Sequence, residues 1–276
     1  MFIETKTMPR RKTVKDKIYE IVVIGSGNVA THYAHAFSND YARVVQVFSR
    51  NLESAKVLAY QFNASYTNSL SLLKTNADIY IISVSDDALF DIALDIKLKD
   101  KICFHTSGTV PIDVLKPISK NYGVIYAPQT FIKHIAVDYS TLPFCIEASN
   151  TDTLDFLMNM AQQVSPTVYS ISGEQRRYIH LAAVFANNFG NCINAMAQNI
   201  METHDLPFSI LHPLIAETAK KTTQGENLWK LQTGPAKRGD LKTLEKHRYL
   251  LANNAEYLKV YDMLTSIIAK NKDFNE

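Results

Sequence analysis

The chain of 276 residues has little of what builds a disulfide-stapled, metal-binding or membrane protein. Its three cysteines, Cys103, Cys145 and Cys192, lie far apart among apolar neighbours. An odd, scattered set argues against a disulfide framework and against a zinc site, and leaves small buried hydrophobes as the expectation. The eight histidines are scattered too, with no His-Glu-x-x-His and no carboxylate cluster, so no metal site is read. No apolar run approaches the ~20 residues that cross a membrane. The N-terminus has no apolar stretch of the secretory kind, and a cytoplasmic protein is expected. A basic folded surface is missing as well. Of the net charge of +2, the first 17 residues hold Lys6, Arg10, Arg11, Lys12, Lys15 and Lys17 against Glu4 and Asp16, leaving 23 basic and 25 acidic residues for the rest. A nucleic-acid binder carries its basic excess on a folded face. Here the excess sits on a polar lead, residues 1–18, for which solvation and fraying are expected. Neither nucleic acid nor membrane is an expected partner.

What the chain does have is alternation. Short β-rich runs at Glu20–Ile24, Val44–Phe48, Ile79–Val84, Ile102–His105, Gly123–Ala127, Phe144–Glu147 and Thr167–Ser170 are separated by helical patterns near Asn28–Ser38, Asn51–Phe62, Ser69–Thr75, Asp86–Leu94 and Thr151–Val164. Near-continuous apolar strands between helices predict a doubly wound parallel sheet covered on both faces. The texture changes at Ser172. Ser172 and Gln175 fit a capping box that opens a long helix, and helical patterns fill the rest of the chain. Pro207 suits a helix start, Pro213 a kink or restart, and Asp240 an N-cap. The expected organisation is an α/β Rossmann-type domain over residues 19–171 and an all-α domain over residues 172–276.

The strongest signal is Ile21-Val22-Val23-Ile24-Gly25-Ser26-Gly27-Asn28-Val29-Ala30, a strand, then Gly-x-Gly-x-x-Ala, then a helix. Gly25 permits the tight turn, Gly27 lets a pyrophosphate approach the backbone, and Ala30 lets the helix pack closely on the strand. The helix start then offers free N–H groups and a positive dipole end to phosphates. Dinucleotide-binding domains that take NAD place an Asp or Glu about 20 residues further on, for the ribose 2′-hydroxyl. Here that place reads Val47-Phe48-Ser49-Arg50-Asn51. A hydroxyl beside a guanidinium suits a 2′-phosphate, so NADP(H) is the expected cofactor. The missing acid also weighs against an S-adenosylmethionine enzyme.

Gly25-Ser26-Gly27-Asn28-Val29-Ala30 closely resembles the opening of pyrroline-5-carboxylate reductases. Val47-Phe48-Ser49-Arg50-Asn51 resembles the NADP-binding turn of the wider superfamily, which includes 6-phosphogluconate and β-hydroxyacid dehydrogenases and deazaflavin-dependent NADP reductases. The chain as a whole resembles an uncharacterised branch of Rossmann-like oxidoreductases with a helical C-terminal domain of unknown function. His105-Thr106-Ser107-Gly108, Pro128-Gln129-Thr130-Phe131 and Thr233-Gly234-Pro235-Ala236-Lys237-Arg238-Gly239-Asp240 carry that likeness. The resemblance implies a sheet extended past its sixth strand, a helical domain that forms a homodimer, and a small-molecule substrate held between the domains against the nicotinamide. In the hydroxyacid dehydrogenases a lysine early in the first long helix is the acid/base, with an asparagine one turn later. If His180 takes that lysine's place, Val184 stands where the asparagine belongs, which argues against hydroxyacid chemistry.

Read for itself, the helix after Ser172 is apolar nearly all round, and such a helix is expected to be buried. His180, Asn187, Asn191, Asn194 and Gln198 recur at helical spacing along it, as one polar stripe. Buried amides cost roughly 1–3 kcal/mol each unless bonded, so the stripe must face a ligand, water or another helix. Two readings stay open for His180 and Asn187: catalytic groups, with His180 as proton donor or substrate anchor, or a polar seam. Ser83-Val84-Ser85 and His105-Thr106-Ser107 end strands on the carboxyl side of the sheet, where cofactors bind in such folds. Lys237 and Arg238 are candidates for a substrate carboxylate. The sequence therefore reads as an NADP(H)-dependent oxidoreductase of a small carbonyl or imine compound, with a non-catalytic NADP-binding sensor as the alternative.

Overall fold

The computed structural model describes residues 17–224 and 227–271. The basic lead lies outside the described residues except for its end, where Lys17 pairs with Asp78 at 2.7 Å. The described residues form two compact units, divided between Ala186 and Asn187.

The first unit is built on an eight-stranded sheet. Its strands are β1 (Tyr19–Ile24), β2 (Ala42–Phe48), β3 (Ser65–Thr67), β4 (Ile79–Ile82), β5 (Lys99–His105), β6 (Ser119–Tyr126), β7 (Phe144–Ala148) and β8 (Val168–Ser170). They lie in the order β3-β2-β1-β4-β5-β6-β7-β8. Its helices are α1 (Asn28–Phe37), α2 (Leu52–Tyr60), α3 (Asp86–Asp95), α4 (Thr151–Gln162) and α5 (Gly173–Ala183). Because side chains alternate along a strand, β1 feeds two cores. Ile21 and Val23 pack with Tyr33, Ala34 and Phe37 of α1. Val22 and Ile24 pack on the opposite face with Leu89 and Ile92 of α3. A strand covered on both sides has no polar face, which is why Ile21–Ile24 of β1 reads as an unbroken apolar run.

Three features depart from the sequence expectation, besides the short edge strand β3, which it passed over. The sheet is not wholly parallel, since β7 runs antiparallel to β6. A parallel step needs a crossover that carries the chain back along the sheet. Residues 127–143 supply only a 3-10 turn at Tyr139–Thr141, so β7 starts at the carboxyl edge where β6 ended. The predicted helix at Ser69–Thr75 is a single 3-10 turn, Leu70–Leu72. Side chains from the sheet take its backbone groups instead: Gln46 Nε2 donates to Leu72 O, Gln46 Oε1 accepts from the Lys74 amide, and Tyr80 Oη donates to Lys74 O.

The third departure concerns the helix that begins after Ser172. Its capping box forms as expected, with Gln175 N–H donating to Ser172 Oγ and the side-chain Oε1 of Gln175 accepting from Ser172 N–H. A π-helical turn, Val184–Phe189, then separates α5 from α6 (Gly190–Thr203). The regular 3.6-residue spacing that places His180, Asn187 and Asn191 on one stripe does not hold across a π turn. The helix is not buried either. Arg176 is the one buried residue of α5, and α6 has none. Cys192, expected inside, is exposed on α6, whereas Cys103 and Cys145 are buried.

The second unit continues with α7 (His212–Thr222), α8 (Leu228–Leu231), α9 (Pro235–Arg238), α10 (Leu241–Leu250) and α11 (Ala255–Lys270). Pro213 lies in the first turn of α7, so it restarts the helix. Asp240 caps α10 by accepting from the Thr243 amide. An Arg248–Asp262 pair at 2.7 Å and a His247–Tyr261 hydrogen bond at 2.9 Å join α10 to α11. No helix among the described residues is long and apolar enough to cross a membrane.

One buried ion pair anchors α5 to the sheet. Arg176 is 0% exposed. Its Nε and Nη2 donate to Glu147 Oε2 of β7 at 3.3 and 3.1 Å, and its Nη1 donates to the Ser107 carbonyl at 2.8 Å. Arg176→Met strands the Glu147 charge. The expected loss is about 3 kcal/mol, at the low end for a broken buried pair because the carboxylate keeps some solvent. Urea denaturation of the variant measures it, and an unchanged midpoint would contradict the anchoring role.

Candidate functional site

A cleft of about 570 Å³ opens at the carboxyl ends of β1, β2, β4 and β5. That is where the strand order reverses, between β1 and β4. Ligands of open α/β sheets bind in such a crevice. Four loops and three helices reach it, α3 through Ala88 and Ile92. Gly25 to Val29 follow β1, Ser49 and Arg50 follow β2, Ser83 to Asp86 follow β4, and Thr106 to Thr109 follow β5, while His180 comes from α5.

The loop after β1 is shaped by what its glycines lack. Gly25 has φ +120° and lies against β4, where an added Cβ would come within 2.0 Å of the Ser83 carbonyl oxygen. Any side chain there would force the two strand ends apart. Gly27 has the opposite surroundings, since an added Cβ would meet nothing within 4 Å. It borders open space, as a backbone approached by a ligand should. Gly27 also caps α1, and it brings no side chain to bond the first N–H groups of that helix. They are left for an anion in the cleft. Ala30 does not line the cleft and is fully buried under α1, as its packing role requires.

At the end of β2 the side chains divide the work. Asn51 Oδ1 accepts the Ser54 amide and caps α2. Ser26 Oγ donates to Ser49 Oγ at 2.8 Å, tying the β1 loop to the β2 end. Arg50 is exposed at the cleft rim. A second hydroxyl bridge, Thr106 Oγ1 to Ser83 Oγ at 3.0 Å, ties β5 to β4. Asp86, at the start of α3, accepts from Thr109 Oγ1 at 2.5 Å.

His180 and the sequence-predicted residues of these loops thus come together, with three exceptions. Ala30 and His105 are buried below the cleft floor. Asn187 lies in the π-helical turn and does not line this cleft. Sequence reasoning passed over Phe48, Asp86 and Thr109 as lining groups, and Tyr126 and Arg176 as supporting ones. Asp86 was within reach, because it directly follows Ser85 at a strand end. Tyr126 and Arg176 carried no local signal, since their partners lie 54 and 29 residues away.

His105 is fully buried, and its Nδ1 accepts the Ser107 amide at 3.1 Å. The ring proton therefore sits on Nε2, which has no hydrogen-bond partner among the described residues. Burial, reinforced by the Arg176 charge, pushes the imidazole down to about 3. The residue is neutral in the folded protein and braces the turn that leads to Gly108. Between pH 6.5 and about 3 the unfolded chain binds a proton here that the folded chain refuses. Stability from this residue is complete above pH 6.5 and falls as the pH drops, by up to ~1.4 kcal/mol per unit. Urea midpoints at pH 7.5 and 4.5 should differ less for His105→Asn than for the parent.

The family described as a domain of unknown function (DUF2520) matches residues 142–268, and the shikimate/quinate 5-dehydrogenase family matches residues 9–101. No curated protein matches the chain. Among solved structures, a Bacteroides fragilis protein described as a candidate NADP oxidoreductase is 38% identical, with a TM-score of 0.85 over 92% of this chain and 98% of its own. The pyrroline-5-carboxylate reductase of Streptococcus pyogenes is 11% identical with a TM-score of 0.62, over 92% of this chain and 99% of its own. The Myxococcus stipitatus imine reductase, solved in complex with NADP+, is also 11% identical with a TM-score of 0.62, over 93% and 95%. At that identity the two reductases share the fold. The chain belongs to the family of the Bacteroides fragilis protein.

Proposed function

We propose that this protein is an NADP(H)-dependent oxidoreductase that reduces a small carbonyl or imine compound. One observation carries the reading. A glycine-walled crevice at the strand-order reversal joins a free helix N-terminus, a serine–arginine pair and a histidine in one cleft. The open space at Gly27 suits a pyrophosphate, and Ser49 with Arg50 suits a 2′-phosphate. The Bacteroides fragilis relative is described as an NADP oxidoreductase, which supports the same cofactor. When bound, NADPH supplies a hydride. The chain then has to supply a proton to the oxygen or nitrogen that gains electrons. His180 brings to the cleft an imidazole, a group that can both give and take a proton. The proton chemistry is assigned to it, and to no other group.

The cofactor assignment predicts that NADPH binds at least about tenfold more tightly than NADH, since a lost charge-assisted contact costs ~1.5–3 kcal/mol. Arg50→Asp should erase or reverse the preference in a fluorescence titration. Gly27→Val should abolish binding with the fold intact, because its side chain enters open space. Equal affinities in the parent would defeat the assignment. NADPH consumption with a panel of small ketones, aldehydes and cyclic imines tests turnover. Tight binding without consumption across the panel would favour the sensor reading.

The helical unit also supports pairing of two chains. Phe189, Ile193, Ile200, Leu214, Met263 and Ile267 are all more than 40% exposed. Large apolar side chains in such number mark an interaction surface, and homo-oligomers are mostly twofold. Light scattering at micromolar concentration should return twice the chain mass of 31.1 kDa. A monomer would reject the pairing.

A further inference from the structure

The geometry points to Tyr126 as the positioning residue for His180: its phenol holds Nδ1, so that Nε2 is the nitrogen that carries and delivers the proton. This rests on the catalytic reading of His180 given above.

Three contacts fix the imidazole. Tyr126, the last residue of β6, places its hydroxyl 3.2 Å from His180 Nδ1. The two rings meet edge-on, 69° apart with centroids separated by 6.0 Å. The ring also lies directly on the backbone of Gly108. An added Cβ there would come within 2.6 Å of Nδ1 and 2.7 Å of Cγ. The Nδ1–Cγ edge is thus packed against protein. Nε2 has no hydrogen-bond partner among the described residues, on a side chain that lines the cleft. The third contact acts through the helix. Arg176 is four residues earlier on α5, hence on the same face. Its guanidinium donates to the carbonyl of Ser107, the residue before Gly108. One helical face is therefore clamped twice onto the same turn.

The chemistry of the partner matters. A carboxylate or a backbone carbonyl at Nδ1 can only accept, and would keep a proton on that nitrogen. A phenol both donates and accepts. Tyr126 is buried, and burial pushes its hydroxyl up to about 12, so it keeps its own proton around neutral pH. Against the neutral imidazole of the resting protein it donates to Nδ1, which puts the ring proton on Nε2. Against an imidazolium its oxygen accepts from Nδ1–H. In the proton transfer the Nε2–H bond of the imidazolium breaks, and its electron pair stays on the ring. A new O–H or N–H bond forms on the substrate atom that the hydride has made electron-rich. Nδ1 keeps its proton through the transfer, which leaves the ring neutral with Nδ1–H donating to the phenol oxygen; uptake of a solvent proton at Nε2 and release of the one on Nδ1 then restore the resting tautomer. The hydroxyl accepts from Nδ1–H during the transfer and donates to Nδ1 in the resting tautomer, so the ring stays in place in each state.

Nitrogen-15 NMR of the parent protein at about pH 9, where free imidazole is neutral, reads the tautomer without any substrate. The expected spectrum shows His180 with Nδ1 unprotonated and accepting a hydrogen bond, and Nε2 protonated. Tyr126→Phe should shift the Nδ1 resonance and admit the second tautomer. With a substrate that the parent reduces, that variant should lose ~10–10²-fold in kcat through misplacement of the ring, with NADPH affinity unchanged. His180→Asn should lose ~10²–10⁴-fold. A protonated Nδ1 in the neutral parent overturns the proposal. So does an unchanged kcat in Tyr126→Phe beside an impaired His180→Asn. Full activity in His180→Asn removes the catalytic reading of His180 instead, and the positioning role falls with it.

Discussion

The site depends on one close approach of two backbones. Where β1 and β4 reach the carboxyl edge, Gly25 lies so near the Ser83 carbonyl that a Cβ cannot be inserted. The two strands stay paired to their last residues, through Ile24 and Ile82. The chain then turns away in opposite directions, towards α1 on one side and α3 on the other. The crevice is the space those departures leave. It inherits the first N–H groups of α1 on one wall, and on the other the hydroxyls that follow β4 and β5. A single methyl group at residue 25 would separate the strand ends and lose this arrangement. The binding surface thus follows from glycine sterics at least as much as from any polar side chain.

Most of this was legible in the sequence because it is local. A strand buried on both faces, a Gly-x-Gly turn and a helix start are read within ten residues, and each is fixed by its neighbours in the chain. The β2 end was legible for the same reason, since it sits at a set distance from the loop. What was not legible is contact between distant segments. The pairing of Tyr126 with His180, and of Arg176 with Glu147 and Ser107, depends on β6, β7 and β5 lying side by side, and no local pattern announces it. The direction of β7 belongs with these. It follows from the absence of a crossover helix in residues 127–143, an absence that reads in sequence as an ordinary loop.

The helix after Ser172 shows a different limit. Its composition was read as that of a buried helix, and its spacing as a continuous stripe. The stripe assumed an unbroken α-helix, whereas the expectation of burial did not specify which chain supplies the cover. The π turn at Val184–Phe189 breaks that assumption, and Phe189, Ile193 and Ile200 are left uncovered by this chain. An apolar helix does need cover, but composition does not say which chain provides it. Hydrophobicity reports the free-energy cost of exposure, and a second copy of the protein removes that cost as well as a neighbouring helix does.

Why α5 should be fastened by a buried ion pair, and not by apolar packing, follows from what each interaction specifies. Taking two charges out of water costs several kcal/mol per ion, and well-packed apolar groups of the same volume would often hold the elements together as firmly. Apolar contacts, however, tolerate sliding and rotation of a helix on a sheet. A guanidinium does not. Its planar fork offers donors in fixed directions, and here two point to one carboxylate oxygen of β7 while another points to the carbonyl of Ser107. Both partners are satisfied at only one rotation and one height of α5. His180 stands one turn further along that face, with Gly108 beneath its ring and Tyr126 at its Nδ1 edge. The ion pair therefore contributes placement more than stability. Placement to within a fraction of an ångström is what a proton-transferring side chain needs, if its free nitrogen is to meet a substrate held by a cofactor on another wall of the cleft.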